Sequence, residues 1–416
     1  MAVDIVTFGC RLNAYDSEAI KLRANEAQLR DAVVVNTCAV TAEAVRQSRQ
    51  AIRKLKRERP DARIIVTGCA AQTEPDTYAA MPEVDAVLGN EEKFDARAYA
   101  DFGMGNLERV RVNDIMGVRD VAPQLVDHFE GRTRAFLQVQ TGCDHRCTFC
   151  IIPYGRGNSR SVAMGAVVNE ARRLVENGFA EIVLTGVDLT SYGTDLPGTP
   201  GLGQLVEKLL KLLPDLKRLR LSSIDSIEAD PHLMRAIAEE KRLMPHFHLS
   251  VQSGDDLILK RMKRRHNRAH TIQFCETVRR LRPEAAFGAD FITGFPTESE
   301  EMFENSVRLV DEAGLSQLHV FPFSPRKGTP AARMPQLGRE VAKARGTRLR
   351  AKGEAALGAR FRSLTGSVRS VLVEKPGFGH SECFAPVFFE GTGAPGSIVN
   401  VTISGRDGTG LLGQAA

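Results

Sequence analysis

The chain has 416 residues, 43% of them hydrophobic and 26% charged, with a formal net charge of +5 and eight cysteines. No apolar run approaches the roughly 18 residues of a membrane span, and the opening residues lack the basic region and cleavage site of a secretory signal. A cytoplasmic protein without membrane attachment is therefore expected, its cysteines reduced rather than paired in disulfides. Two to three domains fit the length.

Val3–Phe8 reads as a short strand ending at Gly9-Cys10. A helix is expected from Asp16 to about Ala27, and a β-rich strand over Asp31–Asn36 that ends at Thr37-Cys38. A basic helix follows over Thr41–Arg59, then a third strand over Arg63–Thr67 that ends at Gly68-Cys69. Strand alternating with helix implies a parallel α/β sheet. In such a sheet the carboxyl ends of the strands share one edge, where ligands bind. Cys10, Cys38 and Cys69 each follow a strand, so they should converge and offer three thiolates to an iron-sulfur cluster. The alternative is three buried structural cysteines.

Residues 126–134 read as a linker. From 135 to about 325 the alternation continues, with strands expected at Ala135–Gln140, Glu181–Thr185, Arg218–Leu221, His246–Val251, Ala286–Ile292 and Gln317–Phe321. Helices are expected between them at 163–177, 201–212, 231–240, 256–282 and 300–312. Six strands with helical crossovers predict a partial βα barrel, whose ligands bind at the carboxyl ends of the strands. Directly after the first strand stands Cys143-Asp-His-Arg-Cys147-Thr-Phe-Cys150. Three thiolates at this spacing suit a 4Fe-4S cluster with one iron left open. Zinc usually takes four ligands, and no fourth follows at ribbon spacing.

Charge is concentrated in two stretches. Seven basic residues and one acidic lie from Arg46 to Arg59, and eight basic and two acidic from Arg339 to Arg362. Both read as helical and suit a phosphate backbone, Arg53, Lys56 and Arg348 among them, or else form solvated helix faces. Residues 326–364 form a basic helical connector. Residues 365–416 alternate short β-rich runs with Gly/Pro turns and predict a small, OB-like β-barrel. That last stretch holds three basic and four acidic residues, which gives RNA no electrostatic help. Cys275 and Cys383 read as structural.

The run Thr141–Ser161 resembles the radical S-adenosylmethionine (SAM) superfamily. Joined to Thr7–Asn13, Val35–Thr41 and Thr67–Gln72, and to the barrel motifs Leu184–Leu189, Arg220–Ile224, His248–Gly254 and Asp290–Pro296, the whole chain resembles that superfamily's methylthiotransferases. The resemblance implies an auxiliary-cluster domain over 1–125, a radical SAM core over 135–325 and a TRAM domain over 365–416. It implies two 4Fe-4S clusters, on Cys10, Cys38 and Cys69 and on Cys143, Cys147 and Cys150. It also implies SAM as methyl donor and radical source. One SAM would methylate a sulfur held at the N-terminal cluster. A second would be cleaved to the radical that takes hydrogen from carbon 2 of an adenine. No side chain is expected to act as acid or base.

Within the family, Arg11 after Cys10 resembles the branch that modifies N6-threonylcarbamoyladenosine at position 37 of tRNA, and so do Val35–Thr41 and Leu318–Ser324. The branch for isopentenyladenosine usually has Gln there, and the branch for a ribosomal protein Pro-Lys. An RNA-binding iron-sulfur regulator without catalysis is the remaining alternative. Phe149 is expected to flank the adenine of SAM, or to pack over the cluster. Thr185, Gly186, Ser222, Ser223, Gln252 and Asp290, at strand ends, are expected to contact SAM or to cap loops. Arg156 and Arg160 suit a SAM carboxylate or a phosphate, or a surface role. Asp188 stands where the family often has His or Asn. Expected partners are tRNA and a reducing protein such as flavodoxin or ferredoxin. The sulfur donor is not named by any residue, and a monomer would suffice.

Overall fold

A computed structural model describes residues 3–415. The chain forms two compact units. The first comprises residues 3–128, 138–163 and 324–332, and the second 129–137, 164–323 and 333–415. No helix among the described residues is long and apolar enough to cross a membrane.

The first unit is built on five parallel strands, Asp4–Thr7, Ala32–Thr37, Arg63–Gly68, Ala86–Leu88 and Val110–Arg111, adjacent in that order. The last two are too short to show a period in sequence. Ala32–Thr37 is buried throughout, as a central parallel strand must be. Its Val33 and Val35 join one core with Ile52 and Tyr78, while Ala32 and Val34 join another with Ile20 and Tyr99. That is strand alternation covered on both faces. Helix Ala42–Glu58 starts where Thr41 accepts a hydrogen bond from the Ala44 amide. Helix Arg11–Glu26 starts five residues before the expected Asp16. Its buried face includes the polar Asn13 and Asp16, which hide the apolar stripe.

The second unit contains the six expected barrel strands. Arg134–Gln138, Glu181–Thr185 and Arg218–Leu221 form one parallel sheet. Ser223–Ile224, which continues the third strand, pairs with His246–Gln252, followed by Ala286–Thr293 and Gln317–Pro322. The third strand is thus the joint of a six-stranded half-barrel. Phe247, Leu249, Phe287, Ala289 and Phe291 are buried on its outer face, where Arg279 of helix Arg268–Leu281 lies over the Phe287 ring. The alternate residues line the concave face and are largely polar. The single helix expected over 256–282 is two, Asp256–Arg261 and Arg268–Leu281. Lys263 adopts φ +57°, Arg264 donates to Asp225 at 2.6 Å, and Asn267 caps the second helix.

The C-terminal strands close a five-stranded barrel in the order Val368–Lys375, Phe378–Ser381, Pro386–Glu390, Leu411–Ala415, Ile398–Arg406. It reaches into the half-barrel through buried ion pairs. Glu181 accepts from Arg220 and Arg134 at 3.0 Å each and lies 3.5 Å from Arg218. Arg218 donates on to the Ser370 carbonyl and Arg220 to that of Glu382. Arg134 pairs with Glu374 at 2.6 Å. Phe384 lies 4.8 Å from the Arg220 guanidinium and 5.2 Å from that of Arg134. Burial alone would raise the Glu181 carboxyl, but Arg220, Arg134 and Arg218 push it down to about 2. In the stretch read as a linker, Phe129 is buried edge-on to Phe136 and Phe179.

Candidate active site

Each thiol of the first triplet follows a strand of the first unit's sheet. Cys10 caps helix Arg11–Glu26, Cys38 follows Ala32–Thr37, and Cys69 opens a short helix, Cys69–Thr73. Gly9, at φ +98°, allows the approach, because a Cβ there would lie 2.8 Å from Cys38 Cβ and 3.0 Å from its Sγ. Burial, then the neighbouring Cys69 and Cys10, push the Cys38 thiol up to about 12. A metal binds such groups as thiolates and relieves that cost. All three are free cysteines, and this donor set fits an iron-sulfur cluster.

Cys143, Cys147 and Cys150, none of them in a disulfide, lie in a loop of the same unit. The strand pair Gln140–Thr141 and Arg160–Ser161 closes that loop, and the Cys143 amide donates to the Gly157 carbonyl at 3.1 Å. The loop reaches the first triplet, since a Cβ on Gly155 would lie 3.2 Å from Cys69 Cβ. Phe149 is half-buried between Cys147 and Cys150.

Arg156 and Arg160, read from sequence as SAM or phosphate contacts, are both buried. The Arg156 guanidinium donates to Asn13 Oδ1 at 2.6 Å and Asp16 Oδ2 at 2.5 Å. Lys93, fully buried, donates to the same Asp16 oxygen and to Asn90 Oδ1, each at 2.7 Å. Asn90 Nδ2 stands 3.7 Å from Cys69 Sγ and donates to the Gly155 carbonyl. Burial opposes it, but Arg156 and Lys93 hold the Asp16 carboxyl below the usual carboxylate range. Arg160 donates to the Arg156 carbonyl at 2.7 Å. Both arginines line a cavity of about 480 Å³ with Arg23, Asn90, Gln138 and Thr141. Sequence reasoning missed Asn13, Asp16, Asn90 and Lys93. The signal was present at Asn13 and Asp16, polar residues three apart on the buried face of a helix.

In the second unit Thr185 ends its strand buried, its hydroxyl on the Val183 carbonyl, with Gly186 next in the chain. Ser222 Oγ is buried with no hydrogen-bond partner. Ser223 shares a hydrogen bond with Ser250 at 2.9 Å. Gln252 ends its strand at φ +68°, an outlier of the kind that clusters at functional sites. An unpartnered buried hydroxyl and a strained strand end at a barrel's carboxyl edge fit a polar ligand such as SAM. Asp188 accepts from the Ser191 hydroxyl at 2.7 Å. Asp290, grouped in sequence with the SAM contacts, is held by two histidines. His248 Nε2 lies 2.9 Å and His319 Nδ1 3.2 Å from its Oδ1. Burial would raise the Asp290 carboxyl, but these hydrogen bonds hold it well below the carboxylate range.

Several cations of the basic helices are engaged by neighbouring acids. Arg348 is engaged by Glu300 and Glu304, Arg345 by Glu298, and Lys352 by Asp311. All four acids lie on or beside helix Glu300–Glu312. Lys56 donates to the Ala62 carbonyl at 2.8 Å. Arg53 is exposed, 4.0 Å from Glu83.

A six-stranded parallel half-barrel, in a chain with a C-x3-C-x2-C loop whose cysteines are in no disulfide, defines a radical SAM protein. Residues 137–310 match the Radical SAM superfamily, and residues 2–89 match the uncharacterized protein family UPF0004. The chain is 52% identical over 402 residues to the threonylcarbamoyladenosine tRNA methylthiotransferase MtaB of Rickettsia prowazekii, covering 97% of this chain and 94% of that one. It is 38% identical to the Aquifex aeolicus protein of the same name, with 83% and 86% covered. It is 34% identical to the tRNA-2-methylthio-N(6)-dimethylallyladenosine synthase of Erythrobacter litoralis, with 99% and 96% covered. The chain belongs to the radical SAM methylthiotransferase family. The radical S-adenosylmethionine methyltransferase TsrM of Kitasatospora setae, solved with cobalamin and a 4Fe-4S cluster bound, shares the fold at TM-score 0.54 and 15% identity, with 77% of this chain and 67% of that one covered.

Proposed function

We propose that this protein adds a methylthio group to carbon 2 of N6-threonylcarbamoyladenosine at position 37 of tRNA. The observation that supports the reading most is the pair of cysteine triplets in one unit, with none of the six in a disulfide. Cys143, Cys147 and Cys150 hold a 4Fe-4S cluster that binds SAM, and Cys10, Cys38 and Cys69 hold an auxiliary 4Fe-4S cluster. Bound there, the clusters and SAM supply radical cleavage of an unactivated aromatic C–H bond and the transfer of sulfur and methyl.

The chain's own groups position and shield. Arg156 ties the loop of the second triplet to Asn13 and Asp16, beneath the first. Asn90 offers its amide to Cys69 Sγ while bonding Gly155. In the first unit Phe149 would flank an adenine. In the second, Thr185 and Gly186 would offer backbone carbonyls, and Ser222, Ser223 and Gln252 polar side chains, to a ligand such as SAM. On this reading residues 1–125 house the auxiliary cluster, 135–325 the radical core and 365–416 a TRAM-like domain, joined by 126–134 and 326–364. The protein works in the cytoplasm as a monomer, reduced by a flavodoxin or ferredoxin.

The test is mass spectrometry of tRNA nucleosides from a strain lacking the gene, complemented with wild type or Cys147→Ala. The reading expects 2-methylthio-threonylcarbamoyladenosine to vanish, its unthiolated precursor to accumulate, and wild type alone to restore it. An unchanged level would reject it. The relatives named for dimethylallyladenosine make that nucleoside the second reading, visible in the same spectra.

A further inference from the structure

The concave face of the half-barrel holds a cluster that the proposed chemistry leaves unused. Asp290 and His319 are register partners on neighbouring strands. His248 lies on the next strand, opposite Gly288. Strand alternation puts all three on the face away from Phe247, Leu249, Phe287 and Phe291. Gly288 makes room, since a Cβ there would come within 2.5 Å of His248 Nδ1.

Asp290 is ionised and can only accept, so His248 Nε2 and His319 Nδ1 both donate to it. The His248 and His319 rings lie 4.5 Å apart, inclined at 35°. His248 is buried, but the His319 side chain is 61% exposed. With its Nδ1 turned to Asp290, His319 presents Nε2 outward. Phe321, two residues further on the same face and 42% exposed, supplies an aromatic surface beside it. A base can stack on such a surface.

The two nucleosides acted on by the named relatives differ in this respect. A dimethylallyl group is hydrocarbon, and a cluster of imidazoles and a carboxylate is a poor surface for it. A threonylcarbamoyl group ends in a carboxylate. Both ring nitrogens of an imidazolium are donors, so His319 can give Nδ1–H to Asp290 and Nε2–H to a second carboxylate. We propose that His319, held by Asp290 and backed by the His248 ring, receives the threonyl carboxylate of the modified adenosine and so selects it over dimethylallyladenosine. This rests on the function proposed above and adds a specificity residue to it.

The test uses the reconstituted holoenzyme and anticodon stem-loop RNAs carrying threonylcarbamoyladenosine, its methyl ester or dimethylallyladenosine. Affinities are compared for wild type, His319→Phe and His319→Gln, together with 5′-deoxyadenosine formation in the absence of RNA. Wild type should bind the ester roughly tenfold or more weakly than the acid, the size of a charge-assisted hydrogen bond. His319→Phe should bind acid and ester alike and lose its preference over the dimethylallyl RNA. His319→Gln, which keeps a donor, should retain part of the discrimination. RNA-independent 5′-deoxyadenosine formation should not change in either variant. An equal ester penalty in wild type and His319→Phe overturns the inference. The three donor atoms lie within 4.8 Å of one another and match a two-His, one-carboxylate metal set. A stoichiometric divalent ion in wild type that His319→Phe loses would overturn it as well. Wild type that does not methylthiolate the acid RNA refutes the functional proposal instead, so the two failures are distinct.

Discussion

Asp16 in the first unit and Glu181 in the second are both fully buried carboxylates shared among basic side chains, yet they serve different ends. Around Glu181 the three arginines turn their remaining hydrogens to Ser370, Glu382 and Glu374 of the C-terminal barrel, and Phe384 lies over two of them. That arrangement joins two parts of the fold. Around Asp16 the remaining donors turn to Asn13 and Asn90, and through Asn90 to a cysteine sulfur. That arrangement supports a site. Burying charge is costly unless every donor is answered, and the answering groups show what each network is for. The comparison also accounts for the acidic balance of the C-terminal barrel, whose Glu374 is engaged by an arginine of the half-barrel.

Glu181→Gln should have the largest effect, about 3–5 kcal/mol, because it leaves three guanidiniums without their carboxylate. Urea unfolding followed by circular dichroism measures it, and a loss below 1 kcal/mol would dissolve the contrast. The pH dependence sharpens the same point. The Glu181 carboxyl sits at about 2 in the fold against an ordinary 4.5, so its stabilisation is complete above 4.5 and is lost as pH falls toward 2. Wild type should lose stability across that window faster than Glu181→Gln does. Asp16→Asn should cost less, about 2–4 kcal/mol, and should act on the site. Iron per folded chain should fall, whereas it should hold in folded Glu181→Gln. Equal iron in both would break the distinction. Phe384→Ala should cost about 2 kcal/mol through lost packing and cation–π contact, read as a lower melting temperature. Arg348→Ala, a half-exposed pair with Glu300 and Glu304, should change stability by no more than about 1 kcal/mol and leave tRNA affinity within twofold.

Much of this was legible in sequence. The six barrel strands announced themselves as β-rich runs with turns between them, and the cysteines lay where strands end. The charged networks were hidden for a physical reason. Lys93 and Asp16 are 77 positions apart, and Arg156 lies 140 from Asp16, so no local period connects them. Sequence read Arg156 by residue type as a ligand contact or a surface residue, and the fold buries it against Asp16. The acidic partners of Arg348 lie on another helix, beyond the reach of any local period. His319 belonged to a motif noted only as a marker of branch. Its role depends on register with Asp290, which is a property of strand pairing.

The central claim is that one unit holds two separate iron-sulfur sites. The most direct measurement is iron and acid-labile sulfide per chain after anaerobic reconstitution of three proteins. They are wild type, Cys10→Ala/Cys38→Ala/Cys69→Ala and Cys143→Ala/Cys147→Ala/Cys150→Ala. Two 4Fe-4S clusters predict about eight irons in wild type and about four in each triple variant, with SAM perturbing the spectra of wild type and the first variant but not of the second. About four irons in wild type, or one triple variant that loses all iron while the other loses none, would contradict the claim.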